Sequence, residues 1–399
     1  MMRPPNPGGI DEGTDTYDTI DWLLENVSDN NGRVGILGVS YDGWLAAMAL
    51  IHPHAALEAV SLQGTPSDMF IGDDFFHNGA FRLSPSFGYA ALMELSDDCS
   101  PFSFDKDVYE WFLDLGPLSN VNGHYFHGNS PTWNHFIAHP NYDAYWQQLE
   151  VTHHFNGVTV PTLNVAGWWD AEDFNGSMKI YEALEKNDPQ DLNYLVVGPW
   201  GHGDWKGTSS SLFGIDFGGT PSVYYRTHIE APWFAYFLKD KGTLGLAEAH
   251  TFQTGANEWC SYDEWPPTEN VVERNLYFHE NGLLSFVAPE EDGLQEFDGY
   301  ISDPMNPIPY TERPINGFWQ GSNKYWKFED QRFIEGRSDV LSWQTEILVE
   351  DMTISGRIIA NLFASTSGTD CDWIVKLIDV YPNNHPDENM RGYQLMIAD

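Results

Sequence analysis

The feature that most constrains this chain is a serine set between a short apolar run and a strong helix former. Arg33 to Gly38 (RVGILG) reads as a buried parallel strand, and Trp44 to Ile51 (WLAAMALI) as a helix. Between them, Gly38-Val39-Ser40-Tyr41-Asp42-Gly43 fits Gly-x-Ser-x-x-Gly. A strand-to-helix turn this tight thrusts the serine hydroxyl out past the sheet and needs small residues around it. It also aims the first amides of the helix at the same point. The pattern predicts an α/β sheet with Ser40 as a nucleophile and the Tyr41 backbone N–H as an oxyanion donor. A plain Gly/Ser turn in any α/β domain has the same local pattern.

A hydroxyl needs a base, and the base needs a carboxylate to orient it. Open α/β sheets place such groups just past the C-terminal ends of their strands. Pro161 to Gly167 (PTLNVAG) reads as a strand that runs into Trp168-Trp169-Asp170, and Leu192 to Gly198 (LNYLVVG) as one that runs into Pro199-Trp200-Gly201-His202. Ser40, Asp170 and His202 therefore fall at three strand ends in the order nucleophile, acid, base.

The periodicity divides the chain. A helix over Asp15 to Val27, with Thr14 as its N-cap, precedes the nucleophile strand, and Val60 to Gln63 reads as the next strand. From about Pro66 to Val160 the sequence is aromatic-rich, polar and irregularly helical. The α/β pattern then resumes, with helices over Ser177 to Leu184 and Ser222 to Lys239. Beyond Leu246, short apolar stretches such as 275–278 and 373–378 alternate with Gly, Pro and Asn, the texture of a β-sandwich. The expected organisation is an α/β part over 1–66, an inserted cap over 67–160, a second α/β part over 161–245 and a β domain over 246–399.

Charge excludes some partners. With 59 acidic against 19 basic residues, a net charge of -40, the chain repels phosphate backbones, so nucleic acid is not an expected partner. No run is long and apolar enough to span a membrane. Cys99, Cys260 and Cys371 show no metal spacing, and their odd number leaves one unpaired. His124, His127, His135, His139, His153 and His154 cluster in the cap segment, but no Glu stands in an HExxH arrangement. Neither a metal nor an organic cofactor is expected.

The stretches NGRVGILGVSYDG, IGDDFFHNGAFR, GWWDAED, GPWGHG and SGTDCDWIVKLIDV resemble the α-amino acid ester hydrolases, relatives of cocaine esterase and the Xaa-Pro dipeptidyl-peptidases. The resemblance covers nearly the whole chain. It implies an α/β-hydrolase domain with an inserted helical cap and a C-terminal jelly roll, and by matching motif positions it puts the triad on Ser40, Asp170 and His202. It also implies three carboxylates that hold a substrate's α-ammonium group, at Asp74, Glu172 and Asp173. The implied substrates are small α-amino esters or amides, including β-lactam acyl groups. A homotetramer and a periplasmic or secreted location are implied as well.

Two departures accompany the resemblance. Asp42 stands where close relatives carry Glu. The fold also needs several strands before the nucleophile strand, along with a tyrosine that serves the oxyanion hole, yet only 32 residues precede Arg33. GYQLMIAD stops within the β domain, so a fragment lacking both ends, and truncated in its hydrolase domain, is the expectation. The alternatives are a dipeptidyl-peptidase or simple carboxylesterase, or a β-sandwich binding module on a degenerate hydrolase with 318–326 (FWQGSNKYW) as a stacking platform.

Overall fold

In the computed structural model, residues 4–6, 9–72, 75–96, 100–290, 297–317 and 325–399 are described. The main sheet has six strands, adjacent in chain order: β1 (Val34–Val39), β2 (Leu57–Gln63), β3 (Thr162–Gly167), β4 (Asn193–Gly198), β5 (Ala249–Gln253) and β6 (Glu258–Tyr262). The first five run parallel, and β6 returns antiparallel beside β5. Strands β5 and β6 lie past residue 246, where the β domain was expected to begin, yet they extend this sheet. Leu195, Val196 and Val197 of β4 pair with Ala249, His250 and Thr251. The five-residue run of β5 (AHTFQ) does not reveal whether its partner is a parallel sheet or a sandwich.

Helix α1 (Glu12–Asn26) begins three residues before the expected start at Asp15. The Asp11 carboxylate accepts the Thr14 amide at 2.9 Å, and the Thr14 hydroxyl accepts the Asp11 amide at 2.9 Å. Asp11 is thus the N-cap, and Thr14 is its N3 partner in a capping box. Helix α2 (Tyr41–Met48) follows β1 directly and buries Trp44, Ala46, Ala47 and Met48 against it. Sheet face one is closed by α1, α2 and the helix after β3. Ile20, Trp44, Leu50, Val60, Ile180 and Leu184 share one core there, each large side chain contributing roughly 1.5–3 kcal/mol by its removal from water. On the opposite face, Tyr225, Ile229 and Trp233 of the segment before β5 pack on Leu163, Val165 and Val196.

Between β2 and β3 come four helices of six or more residues: α3 (Leu83–Glu94), α4 (Val108–Leu115), α5 (Pro131–Ala138) and α6 (Ala144–Leu149). Their core is aromatic, with Phe76, Phe87, Trp111, Phe126, Trp133 and Trp146 buried together. The Glu94 carboxylate ties α3 to the start of α5, accepting Ser130 Oγ at 2.5 Å and the Thr132 amide at 3.0 Å. The histidines of this segment have structural surroundings. His135 and His139 stack on the Tyr145 ring at 4.6 and 4.4 Å, and His139 Nδ1 lies 2.7 Å from Asp143 Oδ2.

Helix α7 (Phe174–Glu185) follows β3, and α8 (Ala231–Lys239) follows a π-helical turn over Tyr225–Glu230. Past β6 the described residues form β ribbons and short 3₁₀ turns at Glu280–Gly282, Gln331–Ile334 and Glu388–Met390. Ribbon β7 (Tyr277–Phe278) pairs with β8 (Leu284–Ser285), and β9 (Leu377–Val380) with β10 (Gln394–Ala398). The described residues there pair only in these ribbons and one isolated bridge, Leu283 to Gln344. The strand expected over 373–378 forms only from Leu377. Ile347, Val349, Ile359 and Phe363 are exposed, with no facing sheet among the described residues to bury them. Cys260 and Cys371 are unpaired, and Cys99 lies outside the described residues.

Candidate active site

Ser40 stands at the turn between β1 and α2 with φ 61° and ψ -128°. For a side-chain-bearing residue this is strained backbone, costing on the order of 1–3 kcal/mol. It holds because both flanks are fixed: the Ser40 amide donates to Gln63 O at 2.9 Å, and the Trp44 amide donates to Ser40 O at 3.1 Å. Gly38 makes the turn possible, since a Cβ there would lie 2.0 Å from the Asp42 carbonyl oxygen. Tyr41 is the first residue of α2, so its amide belongs to the helix end where backbone N–H groups favour negative charge.

The loops after β3 and β4 are stitched together. The Trp168 amide donates to Gly198 O at 2.9 Å, and the Trp169 amide to Trp200 O at 3.1 Å. That pairing brings Asp170 and His202 side by side. His202 Nδ1 lies 2.9 Å from Asp170 Oδ2 and 3.1 Å from Oδ1. Asp170 is wholly buried, and its Oδ1 also accepts the amides of Glu172 at 2.8 Å and Asp173 at 3.0 Å. Burial pushes its carboxyl up, but attraction to His202, their hydrogen bond and the two amides outweigh it. The net effect holds the group below the usual carboxylate range.

Two of the three expected ammonium-binding carboxylates lie on the same loop. Glu172 Oε2 is 3.7 Å from His202 Nε2, the ring nitrogen turned away from Asp170. Asp173, buried, opens α7. Asp74 lies outside the described residues. The loop is braced from the segment after β2: Arg82 Nη2 donates to Ala171 O at 2.7 Å, and Asn175 Nδ2 to Ile71 O at 3.3 Å.

Gly64, which the sequence did not single out, joins these pieces. It follows Gln63, whose carbonyl holds the Ser40 amide, and has φ 50°. A Cβ on it would lie 3.1 Å from His202 Cε1, 3.2 Å from Asp170 Oδ2 and 2.9 Å from the Trp205 ring. The Ser40 turn and the Asp170–His202 pair thus meet at one residue without a side chain. Below it, Gln63 anchors a buried network: its Oε1 accepts Trp205 Nε1 at 2.8 Å and its Nε2 donates to Glu230 Oε1 at 2.7 Å. A Gln-Gly pair at a strand end is the only sequence signal for this arrangement.

Known proteins resemble the chain along nearly its whole length. Residues 5–204 match the family described as X-Pro dipeptidyl-peptidase (S15 family). Residues 238–397 match the X-Pro dipeptidyl-peptidase C-terminal non-catalytic domain. An aminopeptidase from the marine sediment archaeon Thaumarchaeota archaeon is 39% identical, with a TM-score of 0.94 over 100% of this chain and 66% of its own. An α-amino acid ester hydrolase is 34% identical, with a TM-score of 0.90 over 98% of this chain and 65% of its own. Cocaine esterase from Rhodococcus sp. (strain MB1 Bresler) is 27% identical over 94% of this chain and 67% of the esterase. The chain spans about two thirds of the length of these relatives.

Proposed function

The chain belongs to the X-Pro dipeptidyl-peptidase S15 family, and on that premise we propose that it is a serine hydrolase for esters and amides with a free α-ammonium group. The observation that carries the reading is the approach of Glu172 to within 3.7 Å of His202 Nε2, on the side of the ring away from Asp170. Asp170 occupies Nδ1 and fixes the imidazole, so Nε2 is the nitrogen available to Ser40. His202 takes the Ser40 proton as Ser40 attacks the acyl carbonyl, and the Tyr41 amide receives the oxyanion. His202 then protonates the leaving alcohol or amine, and water releases the acyl group from Ser40. An anionic Glu172 beside this path, with Asp173 and Asp74, suits a substrate that carries a cation one carbon from the carbonyl. At about 4 Å and an effective dielectric near 20, such a pair gains roughly 4 kcal/mol before desolvation.

Two leaving groups fit. The α-amino acid ester hydrolase supports an alcohol; acyl transfer to the amine of a β-lactam nucleus in place of water rests on the family resemblance of the motifs alone. The archaeal aminopeptidase supports an amine, as in a peptide. Both chemistries begin with a free α-amine, and the carboxylates serve either. A homotetramer and an exported location belong to the same proposal.

The test compares phenylglycine methyl ester, its N-acetyl counterpart and phenylglycine p-nitroanilide. The free-amine ester is expected to exceed the acetylated one by about 100-fold in kcat/KM. Equal rates would leave a simple carboxylesterase. A faster anilide would favour the aminopeptidase form. Absence of Ser40 labelling by a fluorophosphonate would remove the hydrolase reading and raise that of a binding module.

A further inference from the structure

We infer that Tyr325, in the region matched by the non-catalytic domain, is a positioning residue that acts on His202 through Asp204. The inference rests on the reading of His202 as the base. The Tyr325 hydroxyl donates to Asp204 Oδ1 at 3.0 Å, and Asp204 Oδ2 accepts the Gly201 amide at 3.0 Å. Gly201 immediately precedes His202, so the carboxylate grips the base loop on its backbone. The Tyr325 ring also lies against this loop: a Cβ on Gly201 would be 3.0 Å from ring carbons Cδ1 and Cε1. Gly203, on the other side of His202, takes φ 76°, and the Asp204 carbonyl accepts Ser222 Oγ at 3.1 Å. The base therefore sits in a short loop whose backbone the Asp204 carboxylate grips, and the Tyr325 phenol donates to that carboxylate from outside the sheet.

The acid is held in the same way. Trp169, immediately before Asp170, donates its indole N–H to Met396 O of β10 at 3.0 Å and packs on Phe328 at 4.4 Å between ring centres. Tyr325, Phe328, Tyr393 and Leu395 form one apolar cluster with Trp169. Tyr325 thus belongs to a wall that contacts both catalytic loops, which is a different role from the stacking platform considered for 318–326. Residues 318–324 of that stretch lie outside the described residues.

The experiment uses the full chain as wild type, Tyr325→Phe, Asp204→Asn and the double variant. Tyr325→Phe keeps the ring and removes only the hydroxyl. It is expected to lower kcat about 10-fold while KM changes less than about twofold, because small misplacement of a reacting group is costly. The double variant is expected to be no slower than Asp204→Asn alone, since the two residues act in series. NMR of the ¹⁵N-labelled His202 ring gives a readout independent of turnover: the Nδ1 proton signal expected in wild type should shift or broaden in Tyr325→Phe. Unchanged kcat, pH–rate profile and ring signal in Tyr325→Phe would overturn the inference, as would additive losses in the double variant. If Ser40→Ala kept wild-type turnover, the reading of the reaction would fail, and the ring signal alone would decide whether Tyr325 orients His202.

Discussion

Glu172 and Asp170 address opposite nitrogens of one imidazole: Asp170 Oδ2 lies 2.9 Å from Nδ1 of His202, and Glu172 Oε2 lies 3.7 Å from Nε2. The two carboxylates are two residues apart on one loop, and the Glu172 amide bonds the Asp170 carboxylate at 2.8 Å. Their environments separate their roles. Asp170 is sealed from solvent and satisfied by backbone amides, whereas the Glu172 side chain keeps 17% of its surface exposed. A buried, amide-bonded carboxylate orients; a partly open one beside Nε2 can meet a substrate.

Glu172→Gln removes the charge and little volume. For α-amino esters, kcat/KM is expected to fall about 10- to 100-fold, and for N-acetylated esters less than about threefold. Paired assays on the two ester classes check this. Equal losses on both would mean that Glu172 serves the imidazole and not an ammonium group.

Asp170→Asn should cost far more turnover than stability. The Asn carbonyl can still accept the amides of Glu172 and Asp173, which Asp170 accepts at 2.8 and 3.0 Å, so the loop retains its hydrogen bonds. The imidazole loses the acceptor that selects its tautomer and offsets its developing charge. A fall in kcat of up to about 10⁴-fold is expected, with a small change in thermal midpoint. Calorimetry alongside single-turnover kinetics separates the two effects.

The parts of this site legible in the sequence were the local ones. The turn carrying Ser40 lies between a strand and a helix that are contiguous in the chain, and Asp170 and His202 each follow a strand that local periodicity identifies. What stayed hidden depends on distant partners. Tyr325 meets Asp204 across 121 residues, and Trp169 meets Met396 across 227. Gly64 reveals its role only when β1, β3 and β4 have brought Ser40, Asp170 and His202 to the same end of the sheet. The cap of α1 was misplaced because Thr14 fits both a cap and its N3 partner, and only the carboxylate of Asp11 three residues back decides between them. Strands β5 and β6 fall in the stretch read as a separate β domain yet pair into the main sheet, because local sequence records burial and not the identity of the adjacent strand.

Gly64→Ala tests the junction of the nucleophile turn with the acid–base pair. An alanine there must adopt φ near 50° and place its methyl 3.1 Å from His202 Cε1 and 2.9 Å from the Trp205 ring. Backbone strain and crowding are expected to cost about 1–3 kcal/mol of stability. The displaced imidazole should lower kcat by roughly 100-fold. Chemical denaturation and turnover number on the same sample check both. A normal rate with reduced stability would mean that Trp205, and not His202, yields to the methyl.

A final expectation concerns pH, at the end of the sheet away from the active site. Glu248 precedes β5 and accepts the Tyr181 hydroxyl, with Glu185 nearby on α7. Burial, reinforced by Glu185, Asp191 and Asp188, outweighs the Tyr181 bond and pushes the Glu248 carboxyl up to about 7. A carboxyl raised on folding favours the native state while protonated. The fold is therefore unpenalised below the ordinary glutamate range, loses stability as pH rises from about 4.5, and bears the full penalty above about 7. Because the group is only partly buried and solvent screens it, that penalty is held to ~1 kcal/mol. Glu248→Gln keeps an acceptor for Tyr181 and removes the charge. It is expected to raise the thermal midpoint at pH 8 and to leave it unchanged at pH 4.5. Thermal melts at the two pH values check this. An increase of equal size at both would trace to packing and not to the ionisation of Glu248.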